Sequence, residues 1–228
     1  MEPTRRDFLE RAALGAAGVG GLSPLIIDHL DLAIGRTRRA APGEWDLSWT
    51  KRLTGRNKAV FDVPEVDSGY GVWRASIWGR QYQDVLGAKP EDISTVIVLR
   101  HNGIALAMTQ PFWDTYAIGK HKSALHPITQ QPTDRNPALL SSAVDKQYPP
   151  DFDAFTLDKA IGRGVVVLAC NLALRDCIEL IQKQDGSNDE AARKRAISFL
   201  IPGVILQPSG VFAAVLAQQS GCSYVRAS

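Results

Sequence analysis

Two short runs of apolar, β-branched residues place the tightest limit on what this chain can fold into: residues 94–99 (Ser-Thr-Val-Ile-Val-Leu) and 164–169 (Gly-Val-Val-Val-Leu-Ala). Neither run alternates apolar with polar, so both faces of such a strand must be covered, which is the condition of a parallel sheet between helices. Three further strands are expected at 58–63, ended by Pro64, at 203–208 and at 223–226. Helical patterns separate them. Residues 67–86 carry Tyr70, Trp73, Ile77, Trp78, Tyr82 and Val85 near one stripe. Residues 172–184 and 188–200 form two more, the second with Asn188 or Asp189 as cap and Pro202 as stop, and Ser209 caps 210–219.

This rhythm predicts an α/β fold: a doubly wound, mostly parallel five-stranded sheet with helices on both faces, of the flavodoxin-like kind. The domain runs over 58–228 and is preceded by an arm, 42–57, whose Trp45 and Trp49 are expected to dock on it. Residues 118–152 break the rhythm with Pro127, Pro132, Pro137, Pro149 and Pro150 among polar residues, and read as a long functional or mobile loop. With 26 Lys and Arg against 24 Asp and Glu, the chain lacks the cationic excess of a nucleic-acid binder. Three cysteines in 228 residues exclude a disulfide scaffold.

The N-terminus reads as an address. Arg5 and Arg6 are followed by Phe8-Leu9 and a weakly apolar Gly/Ala run to Ile27, which resembles a twin-arginine (Tat) export signal. Residues 1–41 are assigned to it. The expectation is export to the periplasm through the Tat translocase, either with cleavage near residue 41 or with the segment retained as an anchor. Export of folded cargo raises the expectation of a cofactor without naming one. The glycines at 15, 18, 20 and 21 follow no strand and do not make a dinucleotide fingerprint.

In a doubly wound sheet, ligands bind beyond the carboxyl ends of the strands. Asp62 and Glu65 bracket the end of the first strand, Arg100-His101-Asn102 follows the second, and Cys170-Asn171 follows the third. A thiol between a strand and a helix start meets unpaired N–H groups and the positive end of a dipole, which favours thiolate and nucleophilicity. The competing reading of Cys170 is a small buried apolar residue. Cys177 is about two turns further along the helix, too far for a disulfide with Cys170, and its apolar neighbours mark it as core. Cys222 is read as the start of an edge strand. His101 is either a hydrogen-bonded loop residue or a proton-exchange partner for Cys170; with Arg100 it is also a candidate anchor for an anion. Asp62, Asn102 and Asn171 complete the candidate ligand-binding set. His101, His121 and His126 offer a minority route to a metal or haem, but no metal-ligand spacing occurs, and no metal site is assigned. No nucleophile elbow or P-loop is present, which counts against a hydrolase working through Ser209 or His101. Ser209 is a candidate anion contact, with a plain N-cap as the simpler role.

Residues 164–175 (Gly-Val-Val-Val-Leu-Ala-Cys-Asn-Leu-Ala-Leu-Arg) resemble the strand–Cys–helix segment of DsrE-like proteins. Residues 202–212 (Pro-Gly-Val-Ile-Leu-Gln-Pro-Ser-Gly-Val-Phe) and 218–224 are similar to their C-terminal segment. The resemblance covers roughly 58–117 and 160–226. It implies a flavodoxin-like domain that assembles into trimers or larger rings, with Cys170 matching a cysteine that carries sulfane sulfur as a persulfide in some members. The expected function is therefore handling of small sulfur species, or thiol redox chemistry with a partner protein, through a Cys170 thiolate tuned by His101 and Arg100 and covered by the Pro-rich loop. The alternative on the same fold is a non-enzymatic ligand-binding, cofactor-binding or assembly module, with Trp73, Trp78 and Tyr82 at a subunit interface.

Overall fold

Five strands form from the β-branched runs: β1 (Asn57–Val63), β2 (Ile93–Leu99), β3 (Val166–Cys170), β4 (Ile205–Gln207) and β5 (Ser223–Arg226). In the computed structural model, which describes residues 44–228, all pair in parallel in the order β4-β3-β2-β1-β5. The fold is thus α/β, with a doubly wound parallel sheet between helices. The helices are α1 (Tyr70–Leu86), α2 (Gln110–Thr115), α3 (Ile118–His121), α4 (Leu157–Gly162), α5 (Leu174–Asp185), α6 (Asp189–Ser198) and α7 (Gly210–Gln219).

Strand order dictates which face each helix covers. From β1 to β4 the chain advances in one direction across the sheet, so right-handed crossovers lay α1 to α6 on a single face. The step from β4 to β5 returns past β1 and puts α7 on the other. The core divides accordingly. Phe61, Ile97 and Val167 pack with Val72, Phe112, Trp113 and Ile178, whereas Val60, Val98 and Leu168 pack with Trp49, Leu53, Ala213 and Ala217. Trp49 is fully buried, so the expected arm docks and supplies the cover that α7 alone leaves incomplete. The reversal lies between β1 and β5.

Local chemistry sets the ends. Asn188 Oδ1 accepts the Ala191 N–H at 2.9 Å to start α6, and Ser209 Oγ accepts the Phe212 N–H at 3.0 Å to start α7. Gly87, at φ +63°, closes α1. Two strands are shorter than their apolar runs. Gly164 at φ +94° delays β3 to Val166, and the turn at Pro202–Gly203, with Gly203 at φ +91°, holds β4 to three residues.

Residues 118–152 are irregular but tied down. The buried Asn136 amide donates to Leu106 O and Met108 O at 3.2 and 2.7 Å, and the Tyr70 hydroxyl donates to Pro127 O at 2.8 Å. Helix α1 divides its aromatics: Trp78 packs on Phe61 and Tyr82 within the fold, and Trp73 turns toward Phe152 and Phe155. The expected leader, residues 1–41, and the start of the arm at 42–43 lie outside the described residues. No helix among the described residues is long and apolar enough to cross a membrane.

Gly103 packs against the end of β1. A Cβ there would stand 2.1 Å from Val63 O, a backbone atom that cannot yield. Gly103→Ala is expected to lower unfolding stability by about 2–3 kcal/mol, read from the urea midpoint at unchanged slope.

Candidate functional site

The carboxyl ends of β1, β2 and β5 meet in one polar cluster. Asp62 is 2% exposed. Its carboxylate accepts both Arg100 Nε (2.6 Å) and Arg100 Nη2 (2.7 Å), and the Tyr224 hydroxyl donates to Oδ2 at 2.6 Å. Burial by itself raises the Asp62 carboxyl, but hydrogen bonds from Arg100 and Tyr224 and the charges of Arg100 and Arg226 hold it below the ordinary carboxylate range. Its bonds to Asp62 raise Arg100 further, and the Tyr224 hydroxyl's own bond to Asp62 raises the phenol by favouring its protonated form. Gly210 closes the site from above, because a Cβ there would stand 2.5 Å from Arg100 Cβ. The first residue of α7 therefore rests on the Arg100 stem. Asp62 and Arg100 come together, with the guanidinium fork committed to Asp62, and Ser209 caps α7 through the Phe212 N–H.

The loop after β2 carries strain and an exposed polar chain. His101 adopts φ +47°, a left-handed conformation uncommon outside glycine, and is exposed. Lys122 Nζ donates to Asn102 Oδ1 (2.7 Å), and Asn102 Nδ2 donates to Glu65 Oε2 (2.8 Å). No hydrogen bond among the described residues joins His101 to Cys170.

Cys170 combines features of both of its readings. Its sulfur accepts the Ala173 N–H at 3.4 Å, in the turn that precedes α5. The residue is nevertheless 6% exposed and lies in the core cluster with Ala169, Ala173 and Leu174. Beside it, Asn171 Oδ1 accepts Arg193 Nη2 at 2.8 Å. Its register partner on β4, Gln207, is fully buried; Nε2 donates to Asp46 O, and Oε1 has no partner among the described residues. All three cysteines are free and buried. Burial, reinforced by the Asp176 charge, pushes the Cys177 thiol up to about 12, and burial raises Cys222. Cys177 is a core thiol, as its apolar neighbours imply. The Pro-rich segment packs on α1, through Trp73 against Phe152 and Phe155.

The histidines are separated by role. His121 is exposed on α3. His126 is 4% exposed and organises its own turn: Nδ1 accepts the N–H groups of Ile128 and Thr129, both at 3.2 Å. Its Nε2 stands 3.3 Å from Asp145 Oδ2 without the alignment of a hydrogen bond. Among the described residues, no group of three or more His, Cys, Asp or Glu side chains is placed to hold a metal ion.

An aromatic pocket beyond the end of β1 went unseen in the sequence. After β1 the chain turns through three consecutive left-handed residues, Asp67 (φ +37°), Ser68 (+52°) and Gly69 (+77°), and enters α1. Between that turn and the Pro-rich segment lies a pocket of about 200 Å³, walled by Tyr70, Trp73, Tyr148, Phe152 and Phe155. Trp73 meets Tyr70, Phe152 and Phe155 edge-on at 6.3–6.5 Å between ring centres. Ser68, Pro127, Ile128, Ala138 and Thr156 also line it. The only available signal was compositional: Tyr148, Phe152 and Phe155 cluster at and just beyond the end of the Pro-rich stretch, aromatics that a solvated loop does not need. A second cavity, of about 210 Å³, lies between α2, α3 and α5, lined by Phe112, His121, Lys122 and Cys177.

The Asp62 cluster has a pH signature. Its folded carboxyl lies below the unfolded value of 3.8, so its contribution is complete above that value and is lost as pH falls through the lower folded one. Asp62→Asn is expected to remove this part of the acid loss and to cost about 3–5 kcal/mol near neutral pH, because it strands a partly buried guanidinium. Urea unfolding at a series of pH values measures both. Comparison of the chain with protein-family models, with curated proteins and with solved structures gave no match.

Proposed function

We propose that this chain is a small-molecule-binding module, with its ligand seated in the aromatic pocket between α1 and the Pro-rich segment. One observation carries the reading: a cavity of about 200 Å³ walled by five aromatic residues drawn from two segments far apart in sequence. Protein cores hold few voids larger than a water molecule, and an apolar cavity of about 150 Å³ already takes up benzene. The pocket opens to solvent at Ile128, and a ligand packed on its aromatic walls would take apolar surface out of water. Its position beyond the end of β1 agrees with where doubly wound sheets take ligands.

Ala138 lines the pocket and is otherwise buried, so a larger side chain there takes up pocket volume. Ala138→Leu is expected to weaken uptake of small aromatic probes at least about tenfold, the effect of roughly 1.4 kcal/mol, with little change in thermal midpoint. Calorimetric titration of both proteins reads this. Equal uptake by both would remove the pocket as the seat.

A second reading is favoured by the Ala173 N–H directed at the Cys170 sulfur. In it the chain is DsrE-like in activity as well as in resemblance. The Cys170 thiolate attacks a terminal sulfur of a polysulfide, the adjacent S–S bond breaks, and the shortened polysulfide leaves as the anion, with a persulfide left on Cys170. Because Cys170 is 6% exposed, the 171–173 turn must open first. Polysulfide treatment of the folded protein is then expected to add about 32 Da, one sulfur atom, to Cys170 and not to Cys177 or Cys222. Mass mapping that finds Cys170 unmodified would end this reading.

A further inference from the structure

The pocket walls also specify a ligand class, an inference that rests on the binding reading above. Among the described residues, no charged side chain lines the cavity. An ion entering it would lose hydration without gaining a counter-charge. The volume, somewhat above the roughly 150 Å³ that holds one benzene ring, suits one or two fused rings. The walls are ring edges and faces, the surfaces against which another planar ring packs best.

Two polar groups remain. Tyr148 is 7% exposed and Ser68 is 8% exposed, and both line the cavity. Neither hydroxyl has a hydrogen-bond partner among the described residues. By contrast, the Tyr70 hydroxyl is used on Pro127 O at 2.8 Å, and the Thr156 hydroxyl on Asp153 O at 3.3 Å. A hydroxyl at the cavity wall that no protein group engages is available to bond a ligand. Asp153, whose charge acts on the Tyr148 phenol, accepts from the Ser142 hydroxyl and N–H at 2.6 Å each and does not line the cavity.

We propose that the pocket takes an uncharged planar aromatic of one or two rings bearing a hydrogen-bonding group, held by packing against the Trp73 cluster and by the hydroxyls of Tyr148 and Ser68. Indole meets this description. Indene has the same shape without the N–H, benzoate carries a negative charge, and tetramethylammonium tests whether the rings serve a cation instead.

Calorimetric titration of the full-length protein with each probe is the test. Indole is expected to bind at least about fivefold more tightly than indene, the effect of one neutral hydrogen bond. Benzoate and tetramethylammonium are expected to bind at least about tenfold more weakly than indole. Tyr148→Phe keeps the ring and removes the hydroxyl. It is expected to bring indole down to the level of indene and leave indene unchanged, and Ser68→Ala gives a milder loss of the same kind. Thermal unfolding confirms that each variant is folded. Equal binding of indole and indene, or tighter binding of either ion that Ala138→Leu abolishes, overturns the ligand class and leaves the pocket as a binding site. Failure of all four probes to bind in a manner sensitive to Ala138→Leu overturns the binding reading itself.

Discussion

The ion pair of Asp62 with Arg100, closed by the Tyr224 hydroxyl, spans the ends of three strands at the point where the chain reverses direction across the sheet. A buried pair of this kind adds little over apolar packing, but it is costly to break, and its geometry admits few alternatives. β5 is joined to the rest of the sheet only through β1. Locking Tyr224 to Asp62 fixes that edge, and locking Arg100 fixes the start of the loop after β2. Helix α7 then rests on the Arg100 stem through Gly210, where no side chain fits. The cluster therefore reads as the fastener of the carboxyl end, and what surrounds it is free to serve a ligand.

That division of labour was only partly legible in the sequence. The strands were legible because β-branched runs such as 94–99 have no other stable use at that length. The caps at Asn188 and Ser209 were legible because short polar side chains at helix starts satisfy a known set of donors. Strand order was not, since pattern alone does not say on which side β5 rejoins the sheet. Asp62 was noticed as a strand-end carboxylate. Its partner became apparent only once parallel pairing set Val63 against Leu99, one residue before Arg100.

The aromatic pocket was hidden for a physical reason. Its walls come from the first turn of α1 and from an irregular segment near residue 150, and an irregular segment has no period to betray which side chains face inward. The segment is held by backbone-directed bonds from Asn136 and Tyr70, which leave no mark in composition. Cys170 illustrates the converse. Its place between strand and helix was read correctly, and the expected N–H donor is present. Its depth depends on how tightly the 171–173 turn folds over it, a tertiary property. Beneath that turn the residue sits as a small core side chain.

The central claim is a location: ligand enters beside Trp73 and nowhere else. Of the five tryptophans, Trp49 is sealed beneath α7 and Trp113 donates its indole N–H to Ala105 O at 2.8 Å, so both report on the interior. Nuclear magnetic resonance of the nitrogen-labelled indole groups during titration with unlabelled indole tests the claim directly. The account expects the Trp73 signal to shift in a saturable way while those of Trp49 and Trp113 stay in place. Saturable shifts at Trp49 or Trp113 with Trp73 unmoved, or no shift at any tryptophan, would contradict it.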